Sequence, residues 1–365
     1  MKADLLNESM VNPGPPAFNC AKNRRQKARA AGLHPDYWYA VAYDHEIKPG
    51  QVREIMFWHK SIALFRTNDG KLTALENRCA HRQLKLSLGD VRGCNLVCLY
   101  HGWQYNAQGE VIDFSHELFG RPKPPYITVT TYPIKVRYGL IWIFPGNPAL
   151  SEKRRIPDIP ELEGERPWSC VPVDFVWSAH HSMIIENTCD FTHAYLHRKY
   201  RPFQDAKLTK SENEGDRVFV SYDTKVGCGR FSRHFVDRRA DTNHMDLCYE
   251  YPYQWSDTGG QIKHWCFLLP MNERTTRVFF LFYFANIKIP FTPLGIPRSV
   301  MGIFLKVAKG THIQPLLAQD GVAVEAEQEG YDRHYAAPPV ELNPMINQFQ
   351  ELTIRKWEEH LAVAK

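Results

Sequence analysis

The chain has little of what a membrane, secreted or nucleic-acid-binding protein needs. Its most apolar run, Val278 to Ile287, is bounded by Arg277 and Lys288 and reaches about half the length of a spanning helix. The next candidate, Ile289 to Ala308, is broken by Pro290, Pro293 and Pro297. Met1 to Gly32 is polar and basic, so no secretory apolar core stands at the front. The 9 cysteines are scattered rather than evenly and closely spaced, which excludes a small disulfide scaffold. These absences predict a soluble chain in a reducing, cytoplasmic compartment with no membrane span. A formal charge of +5 without a basic stripe excludes nucleic acid as a partner. Internal repeats and low-complexity segments are also lacking.

What is present suits two packed domains: 365 residues, 44% hydrophobic and 23% charged. The aromatic share of 13% fits either aromatic-rich β-structure or a ring-lined pocket. Residues 1–35 read as an arm, with Lys22 to Ala31 as a short helix and Arg24, Arg25, Lys27 and Arg29 as a basic run. Residues 36–150 show short apolar runs at Glu54–His59, Ser61–Arg66 and Leu72–Glu76, punctuated by Pro49-Gly50 and Asn68-Asp69-Gly70. Those are hairpin signals, and they predict a small antiparallel β-domain closing at Leu140–Phe144. In residues 151–365, Ser169–Trp177 reads as a strand and His180–Tyr200 as helical. Alternating segments follow at Arg217–Thr224, Met245–Trp255, Ile262–Leu269 and Thr276–Asn286, then a covering helix over Leu342–Ala362. The expected assembly is α+β, an antiparallel sheet with helices at either end.

Two clips carry the first constellation: Cys79-Ala-His81 and, beyond a loop, Cys98-Leu-Tyr-His101. Two thiolates and two imidazoles at hairpin tips suit either tetrahedral zinc or an iron–sulfur cluster. The surroundings separate the two, because Gly102-Trp103, Tyr105 and Gly109 follow the second clip. With them the region resembles the Rieske family, which implies that both cysteines hold one iron of a [2Fe–2S] cluster and both histidines the other. Imidazole in place of thiolate lowers the cluster's negative charge and raises its potential. Cys94, between the clips, is expected to be buried and structural.

The second constellation is Glu186-Asn187-Thr-Cys-Asp190-Phe-Thr-His193-Ala-Tyr-Leu-His197. On a helix, His193 and His197 share a face and can grip one ion, although such a pair alone is more often core or surface. The stretch resembles the mononuclear iron motif of the Rieske non-haem iron oxygenases. That resemblance implies His193 and His197 as iron ligands, Asn187 close by without ligating, and Asp190 hydrogen-bonding a ligand histidine. It further implies a head-to-tail homotrimer in which Asp190 meets His101 of the partner subunit; otherwise Asp190 reads as a helix cap. Three residues separate the histidines where many relatives have four. Two histidines and one carboxylate typically hold oxygen-activating Fe(II), so an acid must come from elsewhere. Asp320, Glu325, Glu327, Glu329 and Asp332 are the candidates. The run Asp320-x4-Glu325-Ala-x-Gln328 is similar to the monooxygenase-like branch and favours Asp320, with Gln319 where an acid is usual. Glu325 and Glu327 read as a solvated helix face.

The resemblance thus implies an antiparallel β Rieske domain followed by a helix-grip catalytic domain. It implies an oxygenase component fed by a separate reductase or ferredoxin, drawing on NAD(P)H. That component would use O2 to hydroxylate or demethylate a small, cyclic organic substrate, as in natural-product tailoring, by monooxygenation rather than dioxygenation. The basic run of the arm is then either solvated or a docking patch for the donor. The substrate pocket is expected between sheet and iron helix, lined by aromatics from Met245–Trp255, Trp265–Phe267 and Phe279–Phe284. Two rivals are an electron carrier without oxygenase chemistry and a zinc-stapled helix-grip binder of a hydrophobic ligand.

Overall fold

The computed structural model describes residues 14–114, 127–226, 243–285, 298–337 and 339–363. The proline-broken stretch 289–297 and the first thirteen residues of the arm lie outside them. Helix α1 (Arg24–Ala30) starts where the Asn23 side chain accepts a hydrogen bond from Gln26 N. Ten strands follow: β1 (Tyr39–Tyr43), β2 (Val52–Phe57), β3 (Lys60–Arg66), β4 (Leu72–Glu76), β5 (Asp90–Arg92), β6 (Asn95–Val97), β7 (Gln104–Tyr105), β8 (Val111–Asp113), β9 (Ile134–Arg137) and β10 (Leu140–Ile143). They form three antiparallel sheets, ordered β1-β10-β9, β2-β3-β4 and β5-β6-β7-β8. Apolar residues facing inward from the last two sheets, including Phe65, Leu75, Leu96 and Tyr105, make one small core, and Cys79 and Cys98 belong to it.

The second half comprises β11 (Ser169–Trp177), α2 (His181–Thr188), β12 (Phe203–Glu214), β13 (Arg217–Val226), β14 (Asn243–Glu250), β15 (Tyr253–Thr258), β16 (Ile262–Asn272), β17 (Thr275–Phe284), α3 (Arg298–Ala308), α4 (Gln314–His334) and α5 (Pro344–Val363). Its strands form one antiparallel sheet, β11-β17-β16-β15-β14-β13-β12, with helices packed against it. Strands β1 and β10 join this sheet's core: Trp142 meets Phe267 edge-on at 4.8 Å, and Tyr253 Oη donates to Trp38 O at 2.7 Å. The architecture is the expected α+β one.

Four expectations need correction. The helix from His180 stops at Thr188, because the Asp190 carboxylate accepts from Thr192 N at 2.8 Å and offers the chain a local turn instead. His193 and His197 therefore stand on successive turns, closed by Leu196 N to His193 O and Tyr200 N to His197 O, both 2.9 Å. Met245–Trp255 is two strands, parted at Tyr251-Pro252. Cys94 is exposed in the β5–β6 turn, not buried. The basic run is not free: Arg24 pairs with Glu351, Lys27 with Glu358, and Arg29 is buried at 4% exposure. Strand β12 went unpredicted because its outward charges, Lys207, Lys210, Glu212 and Glu214, hide the alternation; β12 is an edge strand, where such charges belong.

Candidate metal centres

Cys79 and His81 sit in the β4–β5 connection, and Cys98 and His101 in the β6–β7 turn. Each loop folds back on its cysteine: Gln83 N donates to Cys79 O at 2.8 Å and Gly102 N to Cys98 O at 3.0 Å. Gly102 adopts φ +70°, which a side chain would resist. The thiols lie at the buried end, 2% and 3% exposed, while both histidines face solvent. Cys98 and Cys79 interact directly, and the rings of His81 and His101 stand 4.5 Å apart. Cysteine pairs with cysteine and histidine with histidine, as a two-iron cluster with one ligand type per iron requires. Trp103 stacks on His81 at 4.8 Å. Tyr105, which sequence reasoning left without a role, donates its hydroxyl to Cys79 Sγ at 3.2 Å and accepts from Ala80 N at 2.9 Å.

The second group lies between α4 and the turns after α2. One donor atom from each of His193, His197 and Asp320 falls within 4.8 Å of the others, the one such group among the described residues. Asp320 Oδ1 is 3.2 Å from His197 Nε2 and 3.5 Å from His193 Nε2, yet it is buried without a well-formed hydrogen bond. An orphaned carboxylate oxygen facing two imidazole nitrogens fits a cation bound by two histidines and one acid. Burial pulls His193 below the ordinary imidazole range; at His197 burial acts the same way, but Asp320 outweighs it and the net shift is upward. The other candidate acids are engaged elsewhere. Glu325 accepts from Ser178 N at 2.8 Å, Glu327 and Asp332 take Arg29 and Arg274 at 3.0 and 2.8 Å, and Glu329 pairs with Arg333. Glu325 is half-buried against Ser178, and Glu327 stays exposed, as a solvated face would be, while also pairing with Arg29.

Neighbouring residues hold this group in place. Gly321 lets α4 approach β11, since a Cβ there would sit 2.4 Å from Trp177 Nε1. Gln319 accepts from His197 Nδ1 at 3.0 Å. Phe203, at the start of β12, lies against both imidazoles, with ring centres at 5.5 and 5.6 Å. Neither residue was singled out as a site residue; only the pairing of β12 brings Phe203 here. Glu186 is clamped in α2 by Arg29 at 2.5 and 2.7 Å. Its neighbour Asn187 faces the cavity beside the histidines. The Asp190 carboxylate is occupied within its own chain by Thr192 N, and it is the Asp190 backbone that hydrogen-bonds the His193 ring.

That cavity, about 240 Å³, separates α2 and α4 from one face of the large sheet. Met245, Phe280, Phe282 and Phe284 line it, whereas Trp265 and Phe267 point to the opposite face, as strand alternation requires.

Residues 37–123 match the Rieske [2Fe-2S] domain, and residues 177–364 match the vanillate O-demethylase oxygenase C-terminal domain. The chain belongs to the Rieske non-haem iron oxygenases. It is therefore an oxygenase of the hydroxylating or demethylating kind, with a [2Fe–2S] cluster, a mononuclear iron and a separate electron donor. It is similar to the 4beta-methylsterol monooxygenase of Methylococcus capsulatus, 46% identical over 339 residues that cover 92% of each chain. A toluene-4-sulfonate monooxygenase iron-sulfur subunit of Comamonas testosteroni is 33% identical over 44% of this chain and 45% of its own. The crystal structure of dicamba monooxygenase bound to dicamba shares the fold, with TM-score 0.70, 21% identity, and coverage of 92% of this chain and 100% of that one. No helix among the described residues is long and apolar enough to cross a membrane.

Proposed function

We propose that this oxygenase oxidises a methyl group on a polycyclic alcohol of the sterol class, by monooxygenation. The observation that carries the reading is the 46% identity, over nearly the whole chain, with a 4beta-methylsterol monooxygenase. The cavity agrees in kind: Phe280, Phe282, Phe284, Met245, Ile262 and Leu316 offer an apolar wall to a rigid hydrocarbon.

Cys79, Cys98, His81 and His101 would hold the cluster, and His193, His197 and Asp320 the iron. When bound, the cluster supplies electrons one at a time and the iron supplies a place for oxygen to be activated. The chain's own work is to bind and orient. Gln319 keeps the His197 proton on Nδ1, which turns the Nε2 lone pair toward the iron position. The aromatic wall excludes water and presents the substrate's methyl edge to that position. Asn187, next to the clamped Glu186, would touch the bound substrate or oxygen without ligating.

The route between centres would cross a subunit boundary in a head-to-tail homotrimer. Asp190, at the surface between α2 and His193, would meet His101 of the partner subunit. Supporting this, Leu99 and Tyr100 expose 62% and 57% of their surface beside His101, an apolar rim suited to an interface.

The test is substrate-dependent oxygen uptake with a reductase pair and a 4-methylsterol, with the product identified by mass spectrometry. Coupled uptake and an oxidised methyl group are expected; uptake unaffected by the sterol rejects the substrate class. In parallel, Asp190→Asn should keep both metal centres loaded, by iron analysis and EPR, yet nearly abolish product. Normal turnover of that variant rejects the inter-subunit route.

A further inference from the structure

One wall of the cavity is not apolar. Ser256 in β15 and His264 in β16 stand opposite each other in register, and both face the cavity. Gln254, two residues before Ser256 and on the same strand face, is fully buried behind them. Ser256 Oγ lies 2.6 Å from His264 Nδ1, and His264 Nε2 lies 3.1 Å from Gln254 Oε1.

The proton positions in this chain follow from its far end. Gln254 Nε2 donates to Trp255 O at 3.0 Å. The reverse amide orientation would set two carbonyl oxygens against each other, so Oε1 faces His264. Oε1 can only accept, which places the imidazole proton on Nε2. Burial pushes the His264 pKa down to about 3, so the ring is neutral and Nδ1 carries a lone pair. Nδ1 must then accept, and the Ser256 hydroxyl must donate to it. The hydroxyl hydrogen is committed, and what Ser256 turns toward the cavity is lone pairs only.

We infer that Ser256, held by His264 and Gln254, accepts a hydrogen bond from a hydroxyl group of the substrate and thereby selects an alcohol over the matching ketone. The inference rests on reading this cavity as the substrate site, and it deepens the sterol proposal. Every sterol carries its hydroxyl on the ring carbon next to C4, so an anchor for that hydroxyl also fixes where a C4 methyl group points. A ketone would bring its acceptor oxygen against the Ser256 lone pairs, leaving two buried acceptors with no hydrogen between them. Burial sharpens the choice, because Ser256 is only 3% exposed and water has little access to repair the mismatch.

The experiment is equilibrium dialysis of the iron-loaded holoenzyme with a steroid pair differing only in hydroxyl or ketone at the carbon beside C4. The alcohol is expected to bind about tenfold or more tightly, the scale of one lost buried hydrogen bond. Ser256→Ala should erase most of that preference, with thermal melting to show that the variant is folded. The wild-type comparison stands even if the variant does not fold. Equal binding of the two by the wild type, no binding of either, or an undiminished preference in folded Ser256→Ala each overturns the inference. If the alcohol is preferred through Ser256 but no sterol is oxidised in the uptake assay, the sterol reading fails and the hydroxyl anchor stands.

Discussion

Gln319 and Asp320, consecutive in α4, address opposite sides of one imidazole: Gln319 Oε1 lies 3.0 Å from His197 Nδ1, and Asp320 Oδ1 lies 3.2 Å from Nε2. One helix thus supplies both a ligand-type carboxylate and the acceptor that orients the ring beside it. Removing the acceptor should loosen the metal without removing a ligand. Gln319→Leu is expected to weaken iron binding roughly 10- to 100-fold, as loss of such outer partners does. Gln319→Glu keeps an acceptor and should stay near wild type. Competition with an iron chelator measures both; equal affinity in Gln319→Leu would show that His197 needs no such support.

A second prediction concerns the arm. Arg29 donates to Glu186, to Ser182 Oγ at 2.7 Å and to Glu327, tying α1 to α2 and α4. Gln350 of α5 donates to the same Glu186 at 3.1 Å. Arg29→Met leaves the Glu186 carboxyl, which burial already pushes above its usual range, buried without its cation, and such breaks cost about 3–5 kcal/mol. Urea unfolding should show that loss, and adding Glu186→Leu should restore much of it. A single variant within about 1 kcal/mol of wild type rejects the clamp as a structural element.

The hydroxyl of Tyr105 on Cys79 Sγ should tune the cluster. A hydrogen bond to sulfur withdraws charge and stabilises the reduced state more than the oxidised one. Tyr105→Phe is therefore expected to lower the reduction potential. A difference of about 1 kcal/mol converts to roughly 40 mV for one electron. Protein-film voltammetry reads it directly, and an unchanged or raised potential contradicts the assignment.

Acid should unfold the protein through buried neutral histidines. Burial lowers His181 and His264 from 6.5 to about 3. In the unfolded chain each binds a proton below about pH 6.5, whereas the folded chain resists until about 3. The unfolded state holds more protons across that window, so stability is full above it and falls as pH drops. Each group contributes a slope of about 1.4 kcal/mol per pH unit. Urea midpoints between pH 7 and 4 test this, and His181→Gln should flatten the curve; identical slopes would count against burial of a neutral ring.

Local chemistry made much of this legible. Cys79-x-His81 and Cys98-x-x-His101 are clips short enough to be recognised without a fold, because two or three residues fix the distance between donors. Short apolar runs between turn signals likewise revealed β2, β3 and β4, and strand patterning revealed β11, β13, β16 and β17. Of these, β3, β4, β16 and β17 bury consecutive residues on both faces. Legibility failed where a residue's role depends on something distant. Phe203 opens a strand whose charges belong to a sheet edge, and Cys94 lies near ligands in sequence but outside their core. Arg29 looked like part of a solvated basic run, yet its partner Glu186 is far along the chain. Asp190 ended a helix that periodicity alone would have continued to Tyr200.

By itself, then, the sequence determined the α+β class, the cysteine and histidine clips that are candidate ligands, and the family they resemble, since those depend on residue type and short spacing. Tertiary structure decided which acid meets His193 and His197. Among five acids between residues 320 and 332, four are spent on Ser178, Arg29, Arg333 and Arg274, and Asp320 is left facing the imidazoles. Packing also decided which aromatics see the cavity and which way the Ser256 proton points. Those choices follow from strand register, helix approach and hydrogen-bond accounting across segments that only folding brings together.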